Sequence, residues 1–297
     1  MRGLVLVAAL LMGMPSQAAA EETACRIAPP ADGDVKSYAA IFFPKASEAD
    51  LDALADCLGS PDPAVRDDFA YMLWSEGLRA RQLSVLQMRR GLLLRLTAML
   101  AAPEDAQGFR RPFAALALSE VARADRIAPW LTGEDLHALA KAGNTYLRGV
   151  TDYRGFTNGE GWRHGVAHGA DLMLQLALNP RLTRADTDLL LGAIASQIAP
   201  NAPIFYHYGE SGRLARALLF LARRPDIDDE AWAAWFERVA ADGARRLQPP
   251  LTSDAKLAAV HNITAFAQAV YVGAAESGDA QIARLAPLAA GLLAALP

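Results

Sequence analysis

Apolar residues recur at intervals of three and four along most of the chain from Ser47 onward, and polar or proline-bearing connectors separate the runs. This spacing places apolar side chains on one face of a helix. The clearest amphipathic helices are predicted at residues 133–147, 183–198 and 229–247. Alternating patterns typical of strands are scarce. The pattern therefore predicts an all-α protein.

Helix starts recur about every 50 residues. The first is the string DPAVR at residues 62–66, which is similar to the second-helix start of HEAT-type repeats, with Asp as the cap, Pro in the first turn and Arg66 expected to reach an acid of the adjacent repeat. Counting from Arg66, residues early in later apolar helices follow at separations of 44, 53, 50 and 49, namely Arg110, Arg163, Arg213 and Asn262. The recurrence predicts a HEAT-like α-solenoid of about five stacked helix pairs, with residues 287–297 as a short capping helix.

The first twenty residues differ from the rest of the chain. Arg2 precedes an apolar segment at 4–14, and three alanines at 18–20 precede the acidic Glu21. This order is typical of a secretory signal peptide, with cleavage expected after Ala20. The apolar segment is shorter than the roughly 20 residues that a membrane anchor needs, and no later segment is expected to qualify. We therefore expect an exported protein, periplasmic or extracellular, without a transmembrane segment.

The sequence contains two cysteines, Cys25 and Cys57. In an oxidising compartment, two thiols without a competitor most simply form a disulfide. The closed loop would contribute roughly 3 to 4 kcal/mol and would tie a proline-rich segment to the first helix, which Ser47 and Asp50 are expected to cap. The predicted organisation is a signal peptide at 1–20, an extended N-terminal segment at 21–46 and a single all-helical repeat domain at 47–297.

Charge restricts the class of partner. Removal of the signal peptide leaves 28 basic and 33 acidic residues, a net charge of −5. Such a balance is not typical of a nucleic-acid-binding surface, so no nucleic-acid partner is expected. The sequence identifies no cofactor.

One stretch concentrates the candidate chemistry. Residues 152–174, DYRGFTNGEGWRHGVAHGADLML, contain two of the five histidines, five glycines and a tryptophan. Thr157 and Glu160 have the spacing of a capping box, which predicts a helix that begins near Asn158. Within that helix His164 and His168 would lie one turn apart, with Asp171 on the same stripe.

Three interpretations of this stripe stay open. Imidazoles one turn apart can hold a metal ion, with Asp171 as a third ligand, or can serve a metal-free polar or catalytic pocket. Buried histidines can also be purely structural. The glutamate of the zincin motif is absent between His164 and His168. A neighbouring glycine stripe, at Gly161, Gly165 and Gly169, costs about 1 kcal/mol per residue within a helix, so a close helix or ligand is expected to compensate.

The runs RGFTNGEGWRHGVAHGADL, YGESGRLARALLFLARR and HNITAFAQAVYV resemble the bacterial family known as domain of unknown function 2785. The resemblance extends from about Asp50 onward. It implies an all-helical domain and no particular chemistry. Many members lack an export signal, so this chain differs from them at its start.

A second connector, residues 199–211, is rich in aromatic and titratable groups just before a helix. Stacking would place the early parts of the second helices side by side. The expected ligand-binding residues are Arg154, Trp162, Arg163, His164, His168, Asp171, His207, Tyr208, Glu210 and Arg213, with Arg110 and His261 on the flanks. Alternatively, Arg163, Glu210 and Arg213 form an ion-pair ladder that only sets the register of the repeats.

Two functions follow from these expectations. One is a protein that binds a peptide, glycan, protein or small molecule on a polar concave face centred on His164 and His168. The other is an enzyme, for example a metal-dependent hydrolase, in which acid/base groups or metal ligands converge from His164, His168, Asp171, His207 and Glu210. The chain contains no nucleophile elbow and no phosphate loop, and solenoids mainly serve as binding surfaces, so binding is favoured. No catalytic residue is identified.

Overall fold

The computed structural model describes residues 25–247 and 252–296, and the chain there is helical except for one short hairpin. The predicted signal peptide lies outside the described residues. The helices are α1 (Val35–Phe42), α2 (Glu48–Cys57), α3 (Met72–Arg79), α4 (Arg95–Ala101), α5 (Arg110–Ile127), α6 (Gly133–Arg148), α7 (Gly165–Ala177), α8 (Arg184–Ile198), α9 (Glu210–Leu221), α10 (Asp229–Leu247), α11 (Asp254–Ala275), α12 (Ala280–Ala283) and α13 (Ala286–Ala294). Two π-helical segments, Ala64–Tyr71 and Gln87–Leu94, run directly into α3 and α4.

Local capping explains why several helices begin where the sequence predicts. Ser47 accepts a hydrogen bond from the Asp50 amide at 3.2 Å, and the Asp50 carboxylate accepts from the Ser47 amide at 2.9 Å. The same reciprocal pairing occurs at Thr132 before α6 and at Thr183 before α8. Each box satisfies amides that have no partner inside the helix. The prediction of helices at these places is confirmed.

The helices pack in sequential pairs: α2 with the π-helical segment Ala64–Tyr71 that leads into α3, α4 with α5, α6 with α7, α8 with α9 and α10 with α11. The second helices of the pairs, α3, α5, α7, α9 and α11, lie side by side in one row, which α1 extends at one end and α13 at the other. The first helices α2, α4, α6 and α8 form a second row. The all-α fold of stacked helix pairs is therefore confirmed.

The row of first helices is interrupted near its end. Helix α6 packs along α8, but α10 packs against α11 and α13 and barely touches α8. The Trp235 indole on α10 donates a hydrogen bond to the Leu191 carbonyl on α8 at 3.4 Å. The interruption leaves an open groove between α8 and α10.

The N-terminal part is tied to the first pair. Cys25 and Cys57 form the predicted disulfide, with Cα atoms 4.5 Å apart. Residues 21–46 were expected to be extended, but Val35–Phe42 forms α1, whose N-terminus Asp34 caps. Phe43 follows α1 and fills the space above Gly77, where a Cβ atom would lie 2.1 Å from the ring.

Helix α11 corrects one expectation about membrane segments. The helix has 22 residues, and an 18-residue window within it has a mean hydropathy of 1.2. By length and composition it is enough to cross a membrane, although no segment after the signal peptide was expected to qualify. Its buried positions, which include Phe266 and Val270, pack within the row of second helices. The apolar composition is that of a core helix in this fold.

Candidate functional site

The helix predicted near Asn158 does not form there. Phe156–Thr157 (β1) and Gly161–Trp162 (β2) pair as an antiparallel hairpin. Gly159 and Gly161 have φ angles of +83° and +77°, a region that a side chain disfavours and that an α-helix cannot include. The dipeptide Asn-Gly at the turn is a recognised hairpin signal that the sequence contained. The predicted capping box at Thr157 is therefore wrong.

Helix α7 begins instead at Gly165, after His164 in the left-handed conformation with φ +56°. This conformation is uncommon for a residue with a side chain. His164 Nε2 donates a hydrogen bond to the Tyr208 carbonyl at 3.0 Å, and the His164 carbonyl accepts one from the His168 amide at 2.9 Å. The His164 ring also stacks on Trp162, with centroids 4.6 Å apart. These contacts hold the backbone at His164.

Two buried arginines support the hairpin from below. Arg163 Nε donates to the Gln107 carbonyl at 2.6 Å, and one terminal nitrogen pairs with Glu160 at 3.0 Å. Arg66 donates to the Glu160 carbonyl at 2.8 Å, and both guanidinium groups lie over the Phe109 ring. Arg66 thus contacts the hairpin backbone and its own neighbour Asp67, where an acid of the adjacent repeat was expected. Arg163 is buried in this role and is not open to a ligand.

His168 lies beneath His164, with ring centroids 5.7 Å apart, and its edge faces Phe113. Its Nδ1 atom is buried without a hydrogen-bond partner. Burial lowers the pKa of His168 to about 3. Charge repulsion from the His164 and Arg213 side chains lowers it further. The imidazole is therefore neutral at physiological pH.

The neighbouring charged groups are mutually satisfied. Asp171 on α7 forms an ion pair with Arg213 on α9; burial nevertheless raises the pKa of Asp171. Burial also lowers the pKa of His164, although the Glu210 carboxylate opposes that shift. Glu210 accepts a hydrogen bond from the Tyr208 amide at 2.9 Å. Two helices, α7 and α9, thus bring these predicted residues together.

Other expected members of the site lie apart from this cluster. Arg110 pairs with Asp56 of α2, and Arg154 pairs with Asp152. His207 is exposed, and its Nδ1 donates to the Phe205 carbonyl at 2.8 Å. His261 Nε2 donates to the Tyr206 carbonyl at 3.1 Å. The two flanking histidines therefore bind loop backbone.

Gly165 and Gly169 let helices α6 and α7 pack closely against each other. A Cβ atom on Gly165 would lie 3.3 Å from the Tyr146 hydroxyl oxygen, and one on Gly169 would lie 2.9 Å from Leu147. The Tyr146 hydroxyl donates to the Gly165 carbonyl at 3.1 Å. Helix α6 is therefore the close neighbour that compensates for these glycines. Gly161 belongs to the hairpin and not to the same helical stripe.

The histidine pair has little space around it. The crevice next to His164 and Glu210 has no space for a water-sized molecule, because its volume is about 0 Å³. Within residues 25–247 and 252–296, no three His, Cys, Asp or Glu side chains converge as they would around a metal ion. The Asp171 carboxylate of the candidate metal site is bound by Arg213. A much larger cavity, about 830 Å³, is the groove between α8 and α10, which the sequence pattern did not predict.

Above the histidine pair lies an aromatic patch, formed by Phe156, Trp162, His207 and Tyr208. Phe156 is 43% exposed and Trp162 is 38% exposed. Successive ring centroids are 5.1 Å apart for Phe156 and Trp162, 5.7 Å for Trp162 and Tyr208, and 4.1 Å for Tyr208 and His207. The Tyr208 ring covers Gly155, where a Cβ atom would lie 2.0 Å from it. A row of rings, of which Phe156, Trp162 and His207 are exposed and Tyr208 is half-buried, therefore rests on a packed base.

The chain belongs to the family described as a protein of unknown function, DUF2785, whose model matches residues 96–272. That match spans most of α4, all of α5 to α10 with the hairpin, and most of α11. No curated protein matches the chain. A crystal structure of an engineered protein is similar at 16% identity and a TM-score of 0.41, over 82% of this chain and 96% of that chain. The family description names no activity, so function has to be argued from the geometry.

Proposed function

We propose that this chain is an exported binding protein that contacts a polypeptide partner through the aromatic patch. The observation that carries the proposal is the exposure of Trp162 and Phe156 on a firmly supported hairpin. Tryptophan and tyrosine provide much of the binding energy at protein interfaces. Exposed rings of this kind, gathered in one place on a surface, are typical of a contact site.

Rigid support strengthens the proposal. The Tyr208 hydroxyl donates to the Phe156 carbonyl at 3.2 Å, so the two loops that carry the patch are joined. His164 and the buried Arg163 hold the hairpin from below. A patch that is already ordered loses less conformational entropy when a partner binds. The two histidines on which the sequence prediction centred would then act as a scaffold for the contact surface.

The alternative is an enzyme that uses His164, His168, Asp171, His207 and Glu210. The geometry favours binding over this alternative because His168 is buried and neutral, and the crevice beside His164 lacks the volume of a substrate group. A general base must reach its proton within hydrogen-bond distance. Asp171 is engaged by Arg213.

The proposal is tested by capture from an extract of exported proteins. Immobilised wild-type protein is compared with the double variant Phe156→Ala/Trp162→Ala and with Tyr271→Ala. Tyr271, on α11, is 43% exposed and provides a matched aromatic truncation outside the patch. Loss of two hot-spot rings is expected to weaken binding by about 100-fold, so the partner is retained by wild type and Tyr271→Ala only.

Melting curves accompany the capture experiment, because both patch residues are exposed and their loss should leave the folded state intact. Equal retention of the same proteins by all three forms would contradict the proposal. So would a substrate turned over by the wild-type protein and lost on the conservative replacement His164→Asn, since that result favours the enzyme.

A further inference from the structure

The groove between α8 and α10 is built from two facing helix stripes. On α8 the lining residues include Arg184, Leu191 and Ile198, and on α10 they include Trp235 and Arg245. The lining positions recur at intervals of three or four, at 184, 188, 191, 195 and 198 on α8 and at 231, 235, 238, 242 and 245 on α10, so each set occupies one face of its helix. The stripes extend along both helices for about 20 Å. The volume of about 830 Å³ is thus elongated.

The floor of the groove is apolar, and its walls are low. Trp235 and Leu191 form the floor where the two helices meet, and Ile263 of α11 lies beneath. Ala195 on α8 and Ala234 on α10 line the walls. Small side chains at such positions let another helix approach closely, as Gly165 and Gly169 do where α6 meets α7.

The rim is positively charged, in contrast to the chain as a whole, whose net charge is −4. Among the side chains that the structure describes, four arginines line the groove against two aspartates. Arg184 pairs with Asp188 at 3.0 Å, and Arg245 pairs with Asp242 at 2.9 Å. These pairs are exposed and therefore weak.

The other two arginines have no acidic partner in the part of the chain that the structure describes. Arg148 bonds the Asn144 side-chain oxygen at 2.9 Å, and a guanidinium nitrogen lies over Gly192 near the middle of α8. Arg238 on α10 is exposed at the opposite wall. Two unneutralised cations therefore face the groove from its two sides.

We propose that this groove binds an amphipathic α-helix of a partner protein, with an apolar face toward Trp235 and Leu191 and carboxylates toward Arg148 and Arg238. Helices with one apolar face bind in apolar grooves of matching length. The arginines are distributed along the groove, as the side chains of a helix would require, whereas a lipid would need them around a single headgroup. The groove is separate from the aromatic patch, so its occupant is independent of the function proposed above.

Two synthetic peptides of about 18 residues test the proposal, since that length spans the groove as a helix. Both have the same leucine-rich apolar face; one has glutamates and the other has lysines at the flanking positions. Fluorescence anisotropy measures the binding of each peptide to the full chain. Arg238→Glu is the test variant. Arg216→Glu, on α9 outside the groove, is the matched exposed control.

The glutamate peptide is expected to bind wild type and Arg216→Glu alike, and at least about tenfold more weakly to Arg238→Glu. The lysine peptide is expected to bind more weakly than the glutamate peptide. The proposal is overturned by equal binding of both peptides, by an unchanged affinity in Arg238→Glu, or by no binding at millimolar concentration. A fluorescent long-chain fatty acid that binds wild type and is displaced by no peptide would assign the groove to a lipid instead. The variant Phe156→Ala/Trp162→Ala should keep full affinity for the glutamate peptide.

Discussion

The neutral His168 imidazole has one ring nitrogen without a hydrogen-bond partner. Its Nδ1 atom is buried, while the ring contacts Phe113 and His164. A histidine that cannot accept a proton in the folded state couples folding to pH, because the unfolded chain binds that proton freely.

The sign of the coupling follows from the pKa of His168, which burial lowers from 6.5 to about 3 in the folded protein. The stability that His168 contributes is fully present above pH 6.5 and is lost as the pH falls toward 3. Between pH 7.5 and pH 5 the free energy of unfolding should fall by about 2 kcal/mol from this residue alone. Urea unfolding of wild type and His168→Leu measures it, and the variant is expected to show a flatter pH dependence by that amount.

His207→Gln provides the control for this measurement, because it replaces an exposed histidine that lies outside the buried pair. Parallel curves for wild type and His168→Leu would show that His168 is protonated in the folded protein, contrary to the expected burial effect.

The candidate site shows which residue roles the sequence could predict. His164, His168, Asp171, Glu210 and Arg213 do converge, because stacking aligns the starts of neighbouring second helices. Their degree of burial could not be predicted, since it depends on α6 and on the hairpin above them. The sequence pattern therefore identified a polar cluster correctly but could not distinguish an open pocket from a packed scaffold.

At the scale of helices, an arginine joins successive pairs at three equivalent places. Arg181 donates to the Leu131 carbonyl at 2.8 Å, Arg224 to the Leu182 carbonyl at 2.7 Å and Arg284 to the Ile227 carbonyl at 2.9 Å. Each acceptor directly precedes the capping residue of α6, α8 or α10. The start of each first helix is thus fixed by a later part of the chain.

The most buried of these connections contains Asp125. Its carboxylate is fully buried, accepts from the amides of Trp130 and Leu131 at 2.9 and 2.8 Å, and pairs with Arg181. Asp125→Ala would leave these donors without a partner and is expected to lower the free energy of unfolding by about 3 to 5 kcal/mol.

Asp188→Ala is the comparison for Asp125→Ala, because it breaks an exposed pair with Arg184 and should cost less than about 1 kcal/mol. Chemical denaturation measures both variants. Equal losses would show that the Asp125 cluster contributes no more than a surface ion pair.

Helix ends were predictable where a local capping box sets them, as at Ser47, Thr132 and Thr183. Thr157 and Glu160 have the same spacing, yet the glycines between and beside them favour a hairpin. Arg66 and Arg163 then fix that hairpin through contacts with distant segments. The hairpin therefore depends on tertiary contacts, which the spacing of residues in the sequence does not reveal.

At the scale of the whole chain, the N-terminal disulfide would link the predicted export to stability. Protein recovered outside the cytoplasm is expected to begin at Glu21 and to contain the bond between Cys25 and Cys57. Its reduction should lower the free energy of unfolding by roughly 3 to 4 kcal/mol, because the reduced chain gains conformational entropy when unfolded. Intact-mass analysis and alkylation without reductant check both statements. Retention of residues 1–20, or labelling of both thiols, would contradict them.

The interruption between α8 and α10 also has a consequence for cooperativity. In a linear array each unit is stabilised by its interfaces with adjacent units, and those interfaces transmit unfolding from one unit to the next. The pair α8 and α9 adjoins the fifth pair chiefly through α11, whereas the third and fourth pairs meet through both rows. The coupling free energy between the fourth and fifth pairs is therefore smaller than that between the third and fourth pairs. We therefore expect the fifth pair to uncouple from the array before the third and fourth pairs separate.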